Sequence, residues 1–569
     1  MLQASIAALL AQGHNAWHPP DGMASITHGP RGSLSSAFAL GVAGTFLLAC
    51  GNKASPTDAP SLNAATLPAE AASASAMAGP TDGVKFPKAE GKPLVSLGGA
   101  ARGLSPAGDG APKVASIALE TRVYAKPDTS SAKIGFLRAG AVIASDGKSV
   151  PGKGCPQGFR AIKPIGYVCI GAEATTDLEH PIVRASFRRP DTTEKLPYIY
   201  GTATRGGPAY ARIPTEDDVK AFEPHLASHL SKWAHDKESG ATYGHDLWLK
   251  WRDKQATPAL EAMAQKLTDS DIPPFLKGGA RVPNLAGFVP NLATVKAGEF
   301  ARHNGVAFID TFLVEGRRFG VSTDLRVFPT DRFRPIRGSE FHGVEIGKDV
   351  ELPFAFARAK SSKKYRIEKG RLVSQGPLPW RSVVPLSGKL RAFGGKNFYE
   401  ATDGTLVETD AVSRVDAASK MPGWAVAGEK WIDINVTRQV LTAYEGDKPV
   451  YATLVSTGEA GLGDPETTRS TKRGIFRIHT KFLTATMDSK VSGEEFELRD
   501  VPYVQYFQDG YALHAAYWHD VFGQPKSHGC INLTPEDARR LFFWTEPQVP
   551  EGWHGAAKAL TGTVLFVHP

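Results

Sequence analysis

The sequence predicts a multidomain, mainly β protein, and three observations lead there. At 569 residues the chain exceeds what one hydrophobic core organises, so two to four domains are expected. Short runs of alternating apolar and polar residues, punctuated by Gly, Pro and Asp, recur over 113–175 and again over 426–569, which is strand spacing. Helical periodicity is confined to Pro214–Leu276 and to a stretch after Thr534, so the intervening region 176–425 reads as α+β. Apolar content of 42% and a mean hydropathy of −0.22 fit folded domains with no multi-span membrane character.

Charge narrows the partners. Sixty-six basic residues face 58 acidic ones, a formal net charge of +8 with a pI near 9.1. No dense basic block stands out, so a nucleic-acid partner is not expected. A mildly basic protein suits anionic surroundings such as an envelope polymer.

The four cysteines each have a different setting. Phe38–Ala49 is a run of twelve mostly apolar residues, too short to span a bilayer and of the length of a signal-peptide core, with Arg31 as its basic flank. The ending Leu47-Leu48-Ala49-Cys50-Gly51 resembles a bacterial lipobox, which implies acylation of Cys50 and a membrane partner through a lipid anchor. A plain secretory signal with an incidental cysteine is the alternative. Residues 1–50 are thus expected to be a lipoprotein signal peptide, with Met23 a plausible true start. Gly51, not Asp, follows the cysteine, which by the same resemblance implies the outer membrane in a host with two. Residues 51–112 are rich in Pro, Ala, Ser and Gly, a composition unable to bury enough apolar surface to offset chain entropy, and read as a tether.

Over 113–175 the runs TRVYAKPDTSSAKIGFLRAGAVIAS and GFRAIKPIGYVCI give short strands at the spacing of a small barrel. This pattern resembles bacterial SH3-like domains. Cys155 and Cys169, fourteen positions apart, are expected to close a short loop as a disulfide in an oxidising compartment. In 176–425, His225 and His229 stand i,i+4 with His235 nearby, but no HExxH pattern accompanies them, and surface or interfacial histidines are expected. The segment 312–328 echoes 398–415, which suggests two related small β units. No chemistry is assigned to this region beyond spacing or substrate positioning.

Chemistry concentrates in 426–569. Lys430–Val436, Gln439–Tyr444 and Pro449–Val455 alternate around the turn Glu445-Gly446-Asp447, and Gly474–Ile478 reads as another strand. Thr534-Pro535-Glu536-Asp537 starts a helix, with Pro at its first position and acids in its first turn. Between them lie His514 and the run Ser527-His528-Gly529-Cys530-Ile531-Asn532. An exported cysteine that is neither lipidated nor in a disulfide calls for an explanation. A thiolate is a strong nucleophile that a neighbouring imidazole can hold as a thiolate–imidazolium pair. Gly529 allows a tight turn that aims backbone N–H groups at a developing oxyanion. From residue types alone, a buried structural cysteine and a zinc site of His514, His528 and Cys530 stay open.

The fuller pattern resembles the L,D-transpeptidase (YkuD-like) family across about 140 residues. It comprises Ser456-Thr457-Gly458, Gly474-Ile475-Phe476, His514 and Ser527-His528-Gly529-Cys530-Ile531-Asn532-Leu533. The resemblance implies a β-sandwich with a helix after the cysteine loop, and no metal or cofactor. It implies that Cys530 attacks the carbonyl of the third residue of a peptidoglycan stem and expels D-alanine. An amine of a neighbouring stem then resolves the acyl-enzyme as a 3→3 cross-link. His514 is the implied base, oriented by the carbonyl of Ala515. His528 shapes the site, the amides of Gly529 and Cys530 contribute to an oxyanion hole, and Ser527 and Asn532 contact substrate or support those that do. Tyr517 and Trp518 line the donor cleft or pack its lid, and His519 is a rival base. Thr471-Lys472-Arg473-Gly474 departs from the family's Thr-Pro before the glycine strand, which touches substrate fit. An L,D-carboxypeptidase, a hydrolase releasing wall-attached proteins and a non-catalytic wall-binding lipoprotein are the alternatives. An unrelated cysteine peptidase would need its base downstream, where only His554 and His568 stand.

Overall fold

The computed structural model describes residues 110–235, 272–285, 294–315, 317–489, 496–558 and 561–569. Cys50, Met23, the apolar run Phe38–Ala49 and the tether up to residue 109 lie outside the described residues, as do 236–271 and the side chain of His235. The described chain is mainly β and poor in helix. Its strands form sheets of three, six, seven and sixteen members.

The C-terminal domain is a β-sandwich. Lys430–Asn435, Val440–Glu445 and Lys448–Leu454 form the predicted antiparallel meander, closed by a two-residue turn in which Gly446 takes φ +61°. Val564–His568 adds to Lys430–Asn435 in parallel, and Gly474–Arg477 follows on its other side. Facing this sheet are Thr480–Ser489, Phe496–Gln508, Tyr511–Ala515 and Ile531–Leu533. Ile432, Ile434, Leu441 and Tyr451 from one sheet meet Leu483, Tyr503, Phe507 and Leu513 from the other, with Leu541 and Phe542 of the helix Pro535–Trp544 completing the core. That helix starts where predicted, the Thr534 hydroxyl accepting from the Asp537 N–H at 3.1 Å.

Strands over 113–175 fall where the alternation places them, and Cys155 and Cys169 are joined by a disulfide. Among the described residues these strands do not close into a barrel. Lys113–Ser116 pairs with Val142–Ala144 and Ala174–Thr175 in a three-stranded sheet, while Lys133–Leu137 instead continues into Gly555–Ala557 of the C-terminal domain. A strand whose free edge is taken up by another segment is not available for closure.

Region 176–425 departs from expectation in two ways. The helical stretch after Pro214 is broken: Glu216–Phe222, capped by a reciprocal Thr215/Asp218 box, ends at Glu223, and a new helix begins at Leu226. Pro224 is the reason, since it disfavours helical geometry at the preceding residue. Both histidines follow the break, the His225 carbonyl accepting from His229 N at 3.0 Å, but His225 is exposed whereas His229 is buried and bonds Asp331 at 2.9 Å. The internal echo is real in architecture but shifted in register. Arg317–Ser322, Val327–Pro329 and a 3-10 turn at Thr330–Arg332 match Lys396–Ala401, Leu406–Glu408 and a 3-10 turn at Thr409–Ala411. Phe319 thus falls on Phe398 and Thr330 on Thr409. The first Thr-Asp pair of each unit precedes a left-handed residue, Leu325 at φ +68° and Gly404 at φ +75°. The same backbone bonds close both turns, Ser322 N to Arg326 O and Ala401 N to Thr405 O.

Candidate active site

Two neighbouring parallel strands place the reacting groups. In the register of Tyr511–Ala515 against Ile531–Leu533, His514 sits opposite Asn532. Cys530 sits in the bend immediately before Ile531–Leu533, so the turn carrying the thiol leads into the strand beside His514. Cys530 is part-exposed, and its thiol donates to the Gly510 carbonyl at 3.7 Å.

His514 is 2% exposed. Burial lowers its pKa from the usual 6.5 to about 4, only partly opposed by the bond from Nδ1 to the Ala515 carbonyl at 3.3 Å. At neutral pH the ring is therefore uncharged. With Nδ1–H donating to Ala515, Nε2 is the basic nitrogen. The same burial opposes an imidazolium at this position, so a thiolate–imidazolium pair would form here only against that cost.

The nucleophile loop is pinned from both sides. The Ser527 hydroxyl bonds the Cys530 carbonyl and accepts from the Gly529 N–H at 3.1 Å, so the Gly529 amide is engaged within the loop. Gly529 has φ +130°, and a Cβ there would stand 2.6 Å from a Tyr511 ring carbon. Ser456 exchanges both backbone bonds with Asn532 at 2.9 and 3.0 Å, and the Thr457 carbonyl accepts from Ser527 N at 3.0 Å. Ser456-Thr457-Gly458 is thereby a brace for the cysteine loop.

The other predicted residues divide. Asn532 bonds His519 Nε2 through its side chain at 2.8 Å, and His519 Nδ1 accepts from Val521 N at 3.4 Å. Both His519 ring nitrogens are committed, so His514 is the better base. His528 is half-buried and stacks on Phe496 with ring centroids 5.5 Å apart. Tyr517 is 3% exposed, packs on Tyr200 and donates to the Arg499 carbonyl at 3.4 Å, which makes it core. Trp518 is part-buried, its ring centroid 5.7 Å from that of His514. His554 is buried against the Thr484 carbonyl and His568 against Asp433, on other strands.

Comparison with known proteins bears on this constellation. Residues 429–563 match the family model YkuD, described as the L,D-transpeptidase catalytic domain. They form a YkuD domain. No curated protein matches the sequence. Among solved structures, the catalytic domain of the E. faecium L,D-transpeptidase is 24% identical, over 25% of this chain and 98% of that one, with a TM-score of 0.19. The L,D-transpeptidase of Mycobacterium smegmatis is 16% identical over 44% and 91%, TM-score 0.20. That of Xylanimonas cellulosilytica is 18% identical, TM-score 0.18, over 27% of this chain, which spans 64% of that one.

Some supports of the YkuD domain site escaped the sequence reading. Thr471 accepts from Gly458 N at 2.9 Å and donates to the Gly529 carbonyl at 2.7 Å, so one hydroxyl locks the brace to the nucleophile turn. Gln439, at φ +56°, accepts from Thr457 N at 2.8 Å and donates to the Thr457 hydroxyl at 2.6 Å. Asp537, read only as an acid near a helix start, accepts from Tyr451, Thr453 and the Gly343 amide at 2.6, 2.5 and 2.9 Å. Each partner lies far along the chain, and neither spacing nor residue type announces it.

Proposed function

We propose that this chain is a peptidoglycan L,D-transpeptidase that forms 3→3 cross-links through an acyl-enzyme on Cys530. The observation that carries the proposal is a free Cys530 in the bend that leads into the strand paired with that of the buried, neutral His514. In the first half-reaction the Cys530 thiol gives its proton to His514 Nε2 as Sγ bonds the carbonyl carbon of the third stem residue. The Cys530 N–H faces the oxyanion. Collapse breaks the amide to D-alanine, whose nitrogen takes the proton from His514. In the second, a stem amine loses its proton to His514, its nitrogen bonds the acyl carbon, and the thiol leaves. Cys530 and His514 end as they began.

The same reading extends to the rest of the chain. The lipobox-like Leu47–Gly51 supports acylation of Cys50 and attachment to the periplasmic face of the envelope, with the outer membrane favoured by Gly51. The strand pattern over 113–175 supports an SH3-like module.

Muropeptides with tetrapeptide stems, incubated with the purified protein and with Cys530→Ala and analysed by mass, test the activity. Dimers joined 3→3 with wild type alone are expected. D-alanine released without dimers would turn the reading to an L,D-carboxypeptidase, and no change in either product would remove the enzymatic reading.

A further inference from the structure

The chain's positive charge is concentrated in one place. Residues 354–415 hold twelve Lys and Arg against five Asp and Glu, a net +7 of the whole chain's +8, whereas 426–569 hold fourteen against eighteen. The enzymatic domain is therefore acidic, and the excess basic charge sits on the seven-stranded sheet before it. Sequence scanning misses this because the basic residues are spread along the strand pairs Lys363–Pro377 and Val383–Ala401 and gather only when these fold side by side.

Three features give this sheet a use. Lys363–Glu368, Arg371–Pro377 and the distal half of Val383–Phe393 are mostly exposed, so this end of the sheet is a projecting surface and not the wall of a core. Lys363, Lys369 and Arg371 are exposed and make no ion pair among the described residues, whereas Lys364, Arg391 and Lys396 are already matched by Asp403, Glu400 and Glu408. The sheet is also fixed to the active-site loop: Arg381 Nη1 pairs with Asp520 Oδ1 at 2.7 Å and Nη2 donates to the Asp520 carbonyl at 2.9 Å, next to His519. Phe354 and Phe356 pack with Leu454 and Phe522 in the same joint.

We propose that the 354–415 sheet is the docking surface for the anionic wall polymer, taking the carboxylates of peptidoglycan stems and holding the strand beside the Cys530 site. The choice of polymer rests on the function proposed above and on charge complementarity across an extended surface. A membrane surface fits less well, since insertion needs one apolar face beside the basic groups. Here the exposed apolar residues Ile367 and Leu390 lie on opposite faces: Leu390 pairs through Tyr399 and Val407 to Lys364, three residues from Ile367 on one strand.

The test is co-sedimentation of the full chain with isolated peptidoglycan sacculi. Wild type and Cys530→Ala should bind alike, with binding lost as salt rises. The Lys363→Glu/Lys369→Glu/Arg371→Glu variant should bind at least tenfold more weakly with an unchanged thermal midpoint. Amidation of the sacculus carboxylates should weaken wild type to a similar degree. A control with Arg205, Lys277 and Arg302, exposed residues elsewhere in the chain, reversed to Glu should stay near wild type. Equal binding by the sheet variant, an equal loss in the control, indifference to amidation, or tighter binding to phosphatidylglycerol vesicles or duplex DNA would each overturn the proposal. Because Cys530→Ala reports binding without chemistry, loss of cross-linking activity and loss of docking are read separately.

Discussion

Gly529 and His514 set how the Cys530 thiol reacts. Gly529 is at φ +130°, a region that side chains rarely adopt, and its missing Cβ makes room for the Tyr511 ring. Gly529→Ala is expected to displace the thiol by a fraction of an ångström and to slow acylation on the order of 100-fold. The rate of mass addition at Cys530 by a carbapenem measures this. His514 fixes the pH limb of the same assay. Its pKa of about 4 comes from burial, so the base is competent throughout the neutral range and is lost only as protonation begins near pH 4. Acylation rates against pH should show that acid limb well below the ordinary histidine value of 6.5. A limb at pH 6 to 7 would instead indicate a resting ion pair.

At the scale of elements, the helix Pro535–Trp544 is held by what its first and last turns accept and donate. Asp537, wholly buried, gathers Tyr451, Thr453 and Gly343 from two other segments. At the far end, the buried Lys481 ammonium donates to the carbonyls of Phe542 and Thr545, the position where a helix dipole favours a cation. Asp537→Ala leaves three donors without an acceptor and should cost roughly 3 kcal/mol or more, read from urea unfolding. Asp537→Asn, which keeps an acceptor, should cost less. The meander and this helix were legible in the sequence because their signals are local: alternation, a Gly turn, a Thr-Pro start. The helix broken at Pro224 and the unclosed module over 113–175 were misjudged where a partner or a single proline overrode a periodic pattern.

Across the whole molecule, Asp500 is where separate segments meet. Its carboxylate takes Arg138 of the 113–175 module at 2.9 Å, Thr323 of the middle region, and Thr484 of its own sandwich at 2.7 Å, while its carbonyl accepts from Tyr200 at 2.6 Å. Around it one sheet runs from Lys133–Leu137 through Gly555–Ala557 and Thr480–Ser489 to Phe496–Gln508. Arg138→Met leaves Asp500 buried and short of its cation, and a loss of about 3–5 kcal/mol is expected. A differential scan should show the midpoint falling as one transition for module and sandwich together. Acid should weaken the assembly with a defined sign. Burial lowers His514 and His519 to about 4 and His554 to about 3, so the unfolded chain binds more protons as pH drops below 6.5. The contribution of these three rings is full above that value and is lost progressively towards pH 4, seen as a lower thermal midpoint at pH 4.5 than at pH 7.

The sequence alone determined the YkuD resemblance and the candidate owners of its chemistry. A Ser-His-Gly-Cys run with an upstream histidine is short-range information, and the turn it encodes needs only a glycine and its neighbours. It also determined the strands over 113–175, the Lys430–Leu454 meander and Gly474–Arg477, since alternation is local. Tertiary structure decided the rest because the deciding terms act between residues distant in the chain. Burial makes His514 a neutral base, where sequence chemistry alone allowed a charged one. Asn532 and Val521 occupy His519, and Thr471 ties the brace to the nucleophile turn. The basic residues of 354–415, scattered along five strands and the turns between them, come together only when those strands share one sheet.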